Sequence, residues 1–375
     1  MSFWGAPKEV DTKWPLKPIT KLADPVNPEL SVPVEIESLE ASQEDVKWQL
    51  EYPAQATESF TYYLTLDNGT YVLAQMVYST LGLSPSVQMT LRIYNADKTK
   101  FSKTVSPATS SLKVSADKQS AVCEQFTINF VPETGVYNLS FNLTEAAIDV
   151  SFKPTVPLFK VNDGKSLFGK FEVDGYVEAQ FIPKAQVQGT VTFKGKKYEA
   201  KGQGQFVKAI QCKPQTLAKW NFFNLQNDKD ALMLYEYDKP KGSDAPCVSI
   251  GAIVRNGQTI AVTTSNRSVH VQKQLDEDFS GYEVPTQLFL TWNGKTKETG
   301  EDVQVEISYT PTNLVDKIDV LAELPFLLRK LIQTFITAPY LYQWYENVTA
   351  NVTIGKESFK IEGKAFTECS FLTKE

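Results

Sequence analysis

Apolar and polar residues alternate with a period of two along most of the chain. Val87, Met89, Leu91 and Ile93 are separated by Gln88, Thr90, Arg92 and Tyr94, and Tyr137, Leu139, Phe141 and Leu143 by asparagine and serine. Ile148, Val150 and Phe152 keep the same rhythm. Such alternation predicts half-buried antiparallel strands with one wet face. Turn residues punctuate it: Asp67-Asn68-Gly69 separates runs 60–66 and 70–78, and Arg255-Asn256-Gly257-Gln258 follows run 248–254. The second half repeats the style at 220–225, 231–237, 260–264, 269–275, 287–292 and 303–309, and ends with 348–354 and 359–361. Regular short strands predict an all-β protein made of meanders closed as barrels or sandwiches. Two such units suit 375 residues better than one giant barrel.

One stretch, 313–347, departs from this rhythm. Asn313 has the character of a helix cap and Asp316 that of a capping-box acid. Leu327, Leu328, Leu331, Ile332 and Phe335 then fall on one helical stripe opposite Arg329, Lys330, Gln333 and Thr334. A helix near 314–336, kinked at Pro325, is the expectation. The stripe would pack on a barrel, roof an apolar cavity or face a membrane. It is no membrane span, because Asp319, Glu323, Arg329 and Lys330 interrupt it and the required ~18–20 uncharged residues occur nowhere. Alternation resumes after Pro339, with Tyr340, Tyr342 and Trp344 on one face. At the other end, prolines at 7, 15, 18, 25, 28 and 33 make residues 1–44 an extended arm. The expected organisation is therefore the arm 1–44, an N-terminal domain 45–183 and a C-terminal domain 184–375, divided near 183–186.

Charge and motifs narrow the function. A net charge of −6 argues against a nucleic-acid binder, which needs a basic face. The lysines at 194, 196, 197 and 201 surround Gly195 and fit a solvated hairpin. Cys123, Cys212, Cys247 and Cys369 are too far apart for a zinc site and too few for a disulfide scaffold, so reduced thiols and no metal are expected. The opening MSFWGAPKEV lacks a signal-peptide pattern, which points to the cytosol and leaves the sequons at Asn68, Asn138, Asn142, Asn266, Asn347 and Asn351 inert. The single histidine, His270, lies between Val269 and Val271 and is expected to face water. HExxH, GxSxG and P-loop motifs are absent, and GQGQFV at 202–207 is no dinucleotide fingerprint, so no cofactor is expected.

Polar residues inside apolar strands stand out instead. Gln75 shares a face with Tyr71, Leu73 and Val77, and Asn221 and Asn224 sit among Trp220, Phe222, Phe223 and Leu225. A buried amide must find partners or cost about 1–3 kcal/mol. These amides either bond a neighbouring loop or line an apolar pocket suited to an amphiphile.

The same stretches resemble the fungal survival factor family. The similar blocks, in order, are GTYVLAQMVYSTLGL at 69–83, MTLRIYN at 89–95, QVQGTVTF at 186–193, AKWNFFNLQ at 218–226, VPTQLFLTWNG at 284–294, and LVDKIDVLAELP through APYLYQW at 314–344. The resemblance implies two lipocalin-like (calycin) β-barrels in tandem. It also implies non-enzymatic ceramide binding, transfer between ER and Golgi membranes and support of survival under oxidative or lipid stress. The protein would be cytoplasmic, peripheral on those membranes and also nuclear. Family members carry an N-terminal amphipathic helix and histidines before the Trp-Asn block, whereas this chain has a proline-rich arm and Lys213-Pro214-Gln215-Thr216. An eight-stranded barrel has room for one such ligand. Under this reading Tyr71, Gln75, Met76, Trp220, Asn221, Phe223, Phe326 and Leu331 are the candidate cavity or lid residues. Paired lipocalin-like domains also occur in carotenoid hydratases and pericyclic cyclases, so an enzyme with its site between the domains is the alternative. A third is an adaptor whose barrels are filled by their own side chains.

Overall fold

The computed structural model describes residues 17–18, 40–161, 163–168, 170–214, 217–238, 248–323 and 339–372. A two-residue strand, β1 (Lys17–Pro18), precedes β2 (Ala56–Leu66), β3 (Tyr71–Ser79), β4 (Ser86–Tyr94), β5 (Lys100–Val105), β6 (Leu112–Val114) and β7 (Ala121–Cys123). The chain continues through β8 (Phe126–Val131), β9 (Val136–Asn142), β10 (Ala146–Pro154), β11 (Lys165–Leu167), β12 (Tyr176–Phe193) and β13 (Lys196–Cys212). It then runs through β14 (Lys219–Gln226), β15 (Ala231–Asp238), β16 (Val248–Arg255), β17 (Gln258–Thr263), β18 (Ser265–Leu275), β19 (Glu283–Lys295) and β20 (Asp302–Tyr309). The last strands are β21 (Leu314–Asp319), β22 (Tyr340–Ile354) and β23 (Glu357–Phe371). No α-helix occurs among the described residues.

The strands form two antiparallel sheets. The first runs β5-β4-β3-β2-β13-β12-β10-β9-β8-β7-β6, with β11 beside β12. The second runs β1-β18-β19-β20-β22-β23-β14-β15-β16-β17, with β21 beside β22. Both curl into half-closed, lipocalin-like barrels. Two-residue turns with positive φ at both positions, Lys194-Gly195 (48° and 76°) and Asn256-Gly257 (50° and 76°), join long strands as their sequences demand.

The two interiors differ. In the first barrel Phe60, Tyr62, Met76, Phe152 and Phe206 point inward and are fully buried, and Trp48 stacks on Phe60 with ring centroids 4.1 Å apart. Its end is sealed by residues 49–52: the backbone N–H groups of Gln49 and Leu50 and the Tyr52 hydroxyl all donate to the buried Glu58 carboxylate. The hollow expected of a lipid-holding barrel is thus filled here by the chain itself. In the second barrel one half is apolar, with Phe223, Leu234, Leu290 and Trp292 buried together. Curling brings Trp292 so close to Gly251 that a Cβ there would lie 2.3 Å from the indole. The outward faces of the two sheets meet in an aromatic seam, where Tyr63 stacks on Phe222 at 4.6 Å and Tyr71 on Phe366 at 4.5 Å.

Two sequence expectations are corrected. Residues 314–319 form strand β21, paired with β22 from Leu314↔Trp344 to Asp319↔Tyr340, instead of starting a helix. Asn313 does not cap: its side-chain amide donates to Tyr345 O at 2.6 Å. Asp316 is drawn to the first sheet, accepting from Lys100 Nζ at 2.9 Å, with the Tyr94 hydroxyl 3.0 Å away. Tertiary pairing overrides the local capping signal. Residues 320–323 of the expected helix form a turn, and 324–336, with Phe326 and Leu331, lie outside the described residues. The division near 183–186 falls inside β12, and the chain passes between sheets after Cys212 and before Lys219. Pro183 marks a bulge, the register shifting between Ile182 and Ala185, which is how a residue without N–H fits a long strand.

The contact between Gly251 and Trp292 makes a direct prediction. Gly251→Ala overpacks the second barrel and should destabilise it by about 1–3 kcal/mol, read as a lower urea midpoint. An unchanged midpoint would show that the barrel does not close as tightly as described.

Candidate functional site in the C-terminal barrel

Strand register builds a polar ring above the apolar half of this barrel. On β14, Asn221, Phe223 and Leu225 share the inward face, opposite Glu236, Leu234 and Leu232 of β15. The pairing continues from Asn221 to Cys369 of β23 and from Glu236 to Ser249 of β16. Asn221 Nδ2 donates to Glu236 Oε1 at 3.1 Å, and the Ser268 N–H donates to Glu236 Oε2 at 3.1 Å. Arg267 lies 3.9 Å from the same carboxylate, which is wholly buried. His270 Nε2 sits 2.9 Å from Asn221 Oδ1 and 3.6 Å from Cys369 Sγ. Because Asn221 Oδ1 can only accept, Nε2 carries the proton. Burial, together with the positive Lys219, Lys273 and Arg267, pushes the imidazole down to about 3, and burial pushes the Cys369 thiol up.

Aromatic side chains line the next level outward. Tyr342 and Trp344 are buried on β22 and Phe371 on β23, with Tyr282 stacked on Phe371 at 4.7 Å. Lys317 and Asp276 form an ion pair beyond them at 3.0 Å. The buried donors of this region include Ser249 Oγ and Trp344 Nε1, which have no hydrogen-bond partner among the described residues. The wall is also discontinuous. β22 pairs with β20 only from Val303↔Ile354 to Glu306↔Asn351, and β21 takes over as its neighbour nearer the mouth. The result is an apolar floor, a ring of donors and acceptors, an aromatic collar and a parting in the wall.

The sequence-derived candidates divide among four places. Asn221 and Phe223 belong to this interior. Met76 is buried inside the first barrel. Tyr71, Gln75 and Trp220 are on outward faces: Tyr71 and Trp220 join the seam cluster, and Gln75 Nε2 donates to Thr61 Oγ1 at 2.8 Å, so this amide found a neighbour. Phe326 and Leu331 lie outside the described residues. His270 does not face water: Asn266, Ser268 and His270 alternate on the inward side of β18, opposite Trp292, Leu290 and Leu288, so the ring meets Asn221 and Val269 takes the other face. Glu236, Ser249, Cys369 and Trp344 were missed. Glu236 was readable, since it follows Leu232 and Leu234 at intervals of two in ALMLYEYD.

Cys123, Cys212 and Cys369 are free thiols, all buried, while Cys247 lies outside the described residues.

Two half-closed antiparallel barrels joined back to back, one with a polar ring inside it, define a tandem lipocalin-like protein. The chain belongs to the Svf1 family, whose model matches residues 20–373. It is 28% identical over 362 residues to the ceramide-binding protein svf1 of Aspergillus fumigatus, covering 89% of this chain and 91% of that one. Identity to the ceramide-binding protein svf1 of Schizosaccharomyces pombe is 27% over 368 residues, covering 96% and 94%. Among solved structures, CghA with Sch210972 is similar with a TM-score of 0.63 at 11% identity, over 94% of this chain and 96% of that one. Kievitone hydratase from Nectria haematococca is similar with a TM-score of 0.53 at 13% identity, over 96% and 99%. At those identities the likeness is one of fold alone.

The site makes a pH prediction. Between about pH 6.5 and 3, folded His270 binds fewer protons than unfolded histidine, so its contribution to stability is complete above pH 6.5 and is lost as pH falls toward 3. Thermal midpoints should therefore drop less between pH 7 and pH 4 in a His270→Gln variant than in the parent. Equal drops would mean that the ring titrates normally in water.

Proposed function

We propose that this protein binds ceramide, without transforming it, in the polar-ringed interior of the C-terminal barrel. It carries the lipid through the cytosol between ER and Golgi membranes and so supports survival under oxidative or lipid stress. What carries the reading is that relatives named ceramide-binding proteins align along nearly the whole chain; the C-terminal barrel is favoured because it sets the buried donors of Ser249 and Trp344 near the Asn221–Glu236 pair and an apolar floor.

The chemistry suits the ligand. A ceramide amide carbonyl accepts one hydrogen bond, and its N–H and hydroxyls supply donors and acceptors. Trp344 Nε1 and Ser249 Oγ offer N–H and O–H, and Glu236 and Asn221 offer oxygens. Pulling a chain methylene out of lipid costs about 0.8 kcal/mol, so a carrier must return an apolar lining of comparable extent. Covalent catalysis is not favoured: the buried Cys369 thiol resists ionisation and His270 is a weak base.

The test is extraction of ceramide from donor vesicles by the purified full chain, read by mass spectrometry of the protein-bound lipid. Asn221→Leu and Trp344→Phe each remove about one hydrogen bond, worth 0.5–1.5 kcal/mol in a typical case and more for a buried partner. Each should lower uptake roughly tenfold while the chain stays folded, whereas Gln75→Leu in the outer face should leave uptake unchanged. A parent protein that extracts no ceramide would end the carrier reading.

A further inference from the structure

Five large apolar side chains are exposed among the described residues, and four of them crowd one rim of the first sheet. Leu83 is 97% exposed, Phe171 67%, Val173 48% and Leu167 38%. Leu83 tips the connection between β3 and β4, and the other three belong to the segment running from β11 to β12. Register places both at the same end. Thr57 pairs with Ser79, Ala56 with Cys212, Cys212 with Tyr176 and Tyr176 with Leu167. The Thr80 N–H donates to Ala56 O and the Lys213 N–H to Gln55 O, so the connections emerge side by side. Three strand spacings, about 14 Å, separate the ends of β3 and β12.

These tips are held outward by structure. Gln55 Nε2 donates to Leu81 O at 3.3 Å behind Leu83. The Phe171 N–H donates to Asp174 Oδ2 at 2.9 Å, and Lys165 pairs with Glu172 at 2.8 Å. Gly175, at φ +118°, turns the chain into β12 where a Cβ would lie 3.1 Å from Cys212 O. The segment fixes Phe171 and Val173 in water although nothing in the described fold covers them.

We propose that this rim is a bilayer-docking surface, with Leu83, Phe171 and Val173 inserting among the acyl chains at the membrane interface. The proposal rests on the carrier reading, because a ceramide carrier must load and unload where the lipid resides. The occupant follows from area and charge. A stable protein partner needs roughly 20–30 residues a side in complementary contact, and four side chains on two separate connections cannot supply that. A bilayer needs no complementary shape, and reversible insertion of a few apolar groups is how peripheral proteins attach. Residues 80–85 carry no charge. In the second segment Lys165 and Lys170 face Asp163, Glu172 and Asp174, a balance of −1. Attachment should therefore depend on apolar insertion and not on anionic lipid or low salt.

Flotation of the full chain with phosphatidylcholine vesicles, without ceramide, tests this. The parent should float, equally at low and high salt, and the combined Leu83→Ser, Phe171→Ser, Val173→Ser variant should lose binding roughly tenfold at an unchanged thermal midpoint. In solution without vesicles, the same variant should still bind a water-dispersible short-chain ceramide as the parent does. If neither protein binds that ceramide but flotation depends on the tips, the carrier reading fails and the docking surface stands. Flotation unaffected by the substitutions, or a parent that does not float, overturns the proposal. So does a concentration-dependent dimer that the substitutions abolish, which would assign the rim to a second copy of the chain.

Discussion

The packing of two curled sheets by their outer faces governs this structure. An ordinary antiparallel barrel leaves that face to water. Here Tyr63, Tyr71, Phe181 and Tyr235 turn outward and are buried against the other sheet, so strands β2, β3, β12, β14 and β15 are apolar on both sides. A charged cluster lies beside the seam: Arg92 donates to both oxygens of Glu323, at 3.1 and 3.0 Å, and Lys100 reaches Asp316 at 2.9 Å. Arg92 is almost fully buried, and a cation in that position needs these partners to remain there. The cluster ties β21 and the turn after it to the first sheet, and that position of β21 parts the wall of the second barrel.

The two barrels hold their inward carboxylates differently. Glu58 shows what a sealed barrel looks like: its carboxylate is saturated by the segment that carries Trp48, and Phe60 and Phe206 fill the space above. The second barrel has a carboxylate at the same kind of inward position, Glu236, but its neighbours Ser249 and Trp344 keep donors without partners. Neither interior is fully satisfied, since the Trp48 indole N–H and the Tyr62 hydroxyl are also buried without partners among the described residues; the barrels differ in how their inward carboxylates are held.

Much of this was legible in the sequence because alternation reports burial directly. The strand pattern, the Asn-Gly turn, the face shared by Tyr340, Tyr342 and Trp344, and the burial of the Asn221 amide all followed from period and composition. Three failures have physical causes. Alternation tells which residues share a face but not whether that face points into a barrel or into the seam, so Tyr71 and Trp220 were grouped with Asn221. The two valines flanking His270 suggested that they took the buried face, whereas Asn266, Ser268 and His270 alternate on the inward side of β18 and Val269 faces the other way. At Asn313–Asp316 a capping signature was outcompeted by strand pairing and by Lys100 and Tyr94, contacts more than two hundred residues away in sequence.

The position of the bound lipid decides which interior holds it. Cross-linking the full chain with a ceramide bearing a photoreactive group close to its amide, followed by peptide mapping, locates the headgroup directly. Labels on β14, β16, β22 and β23 around Asn221, Ser249, Trp344 and Cys369 are the predicted result. Labelling confined to the first barrel around Met76 and Phe206, or to the seam around Tyr71 and Phe366, would contradict it.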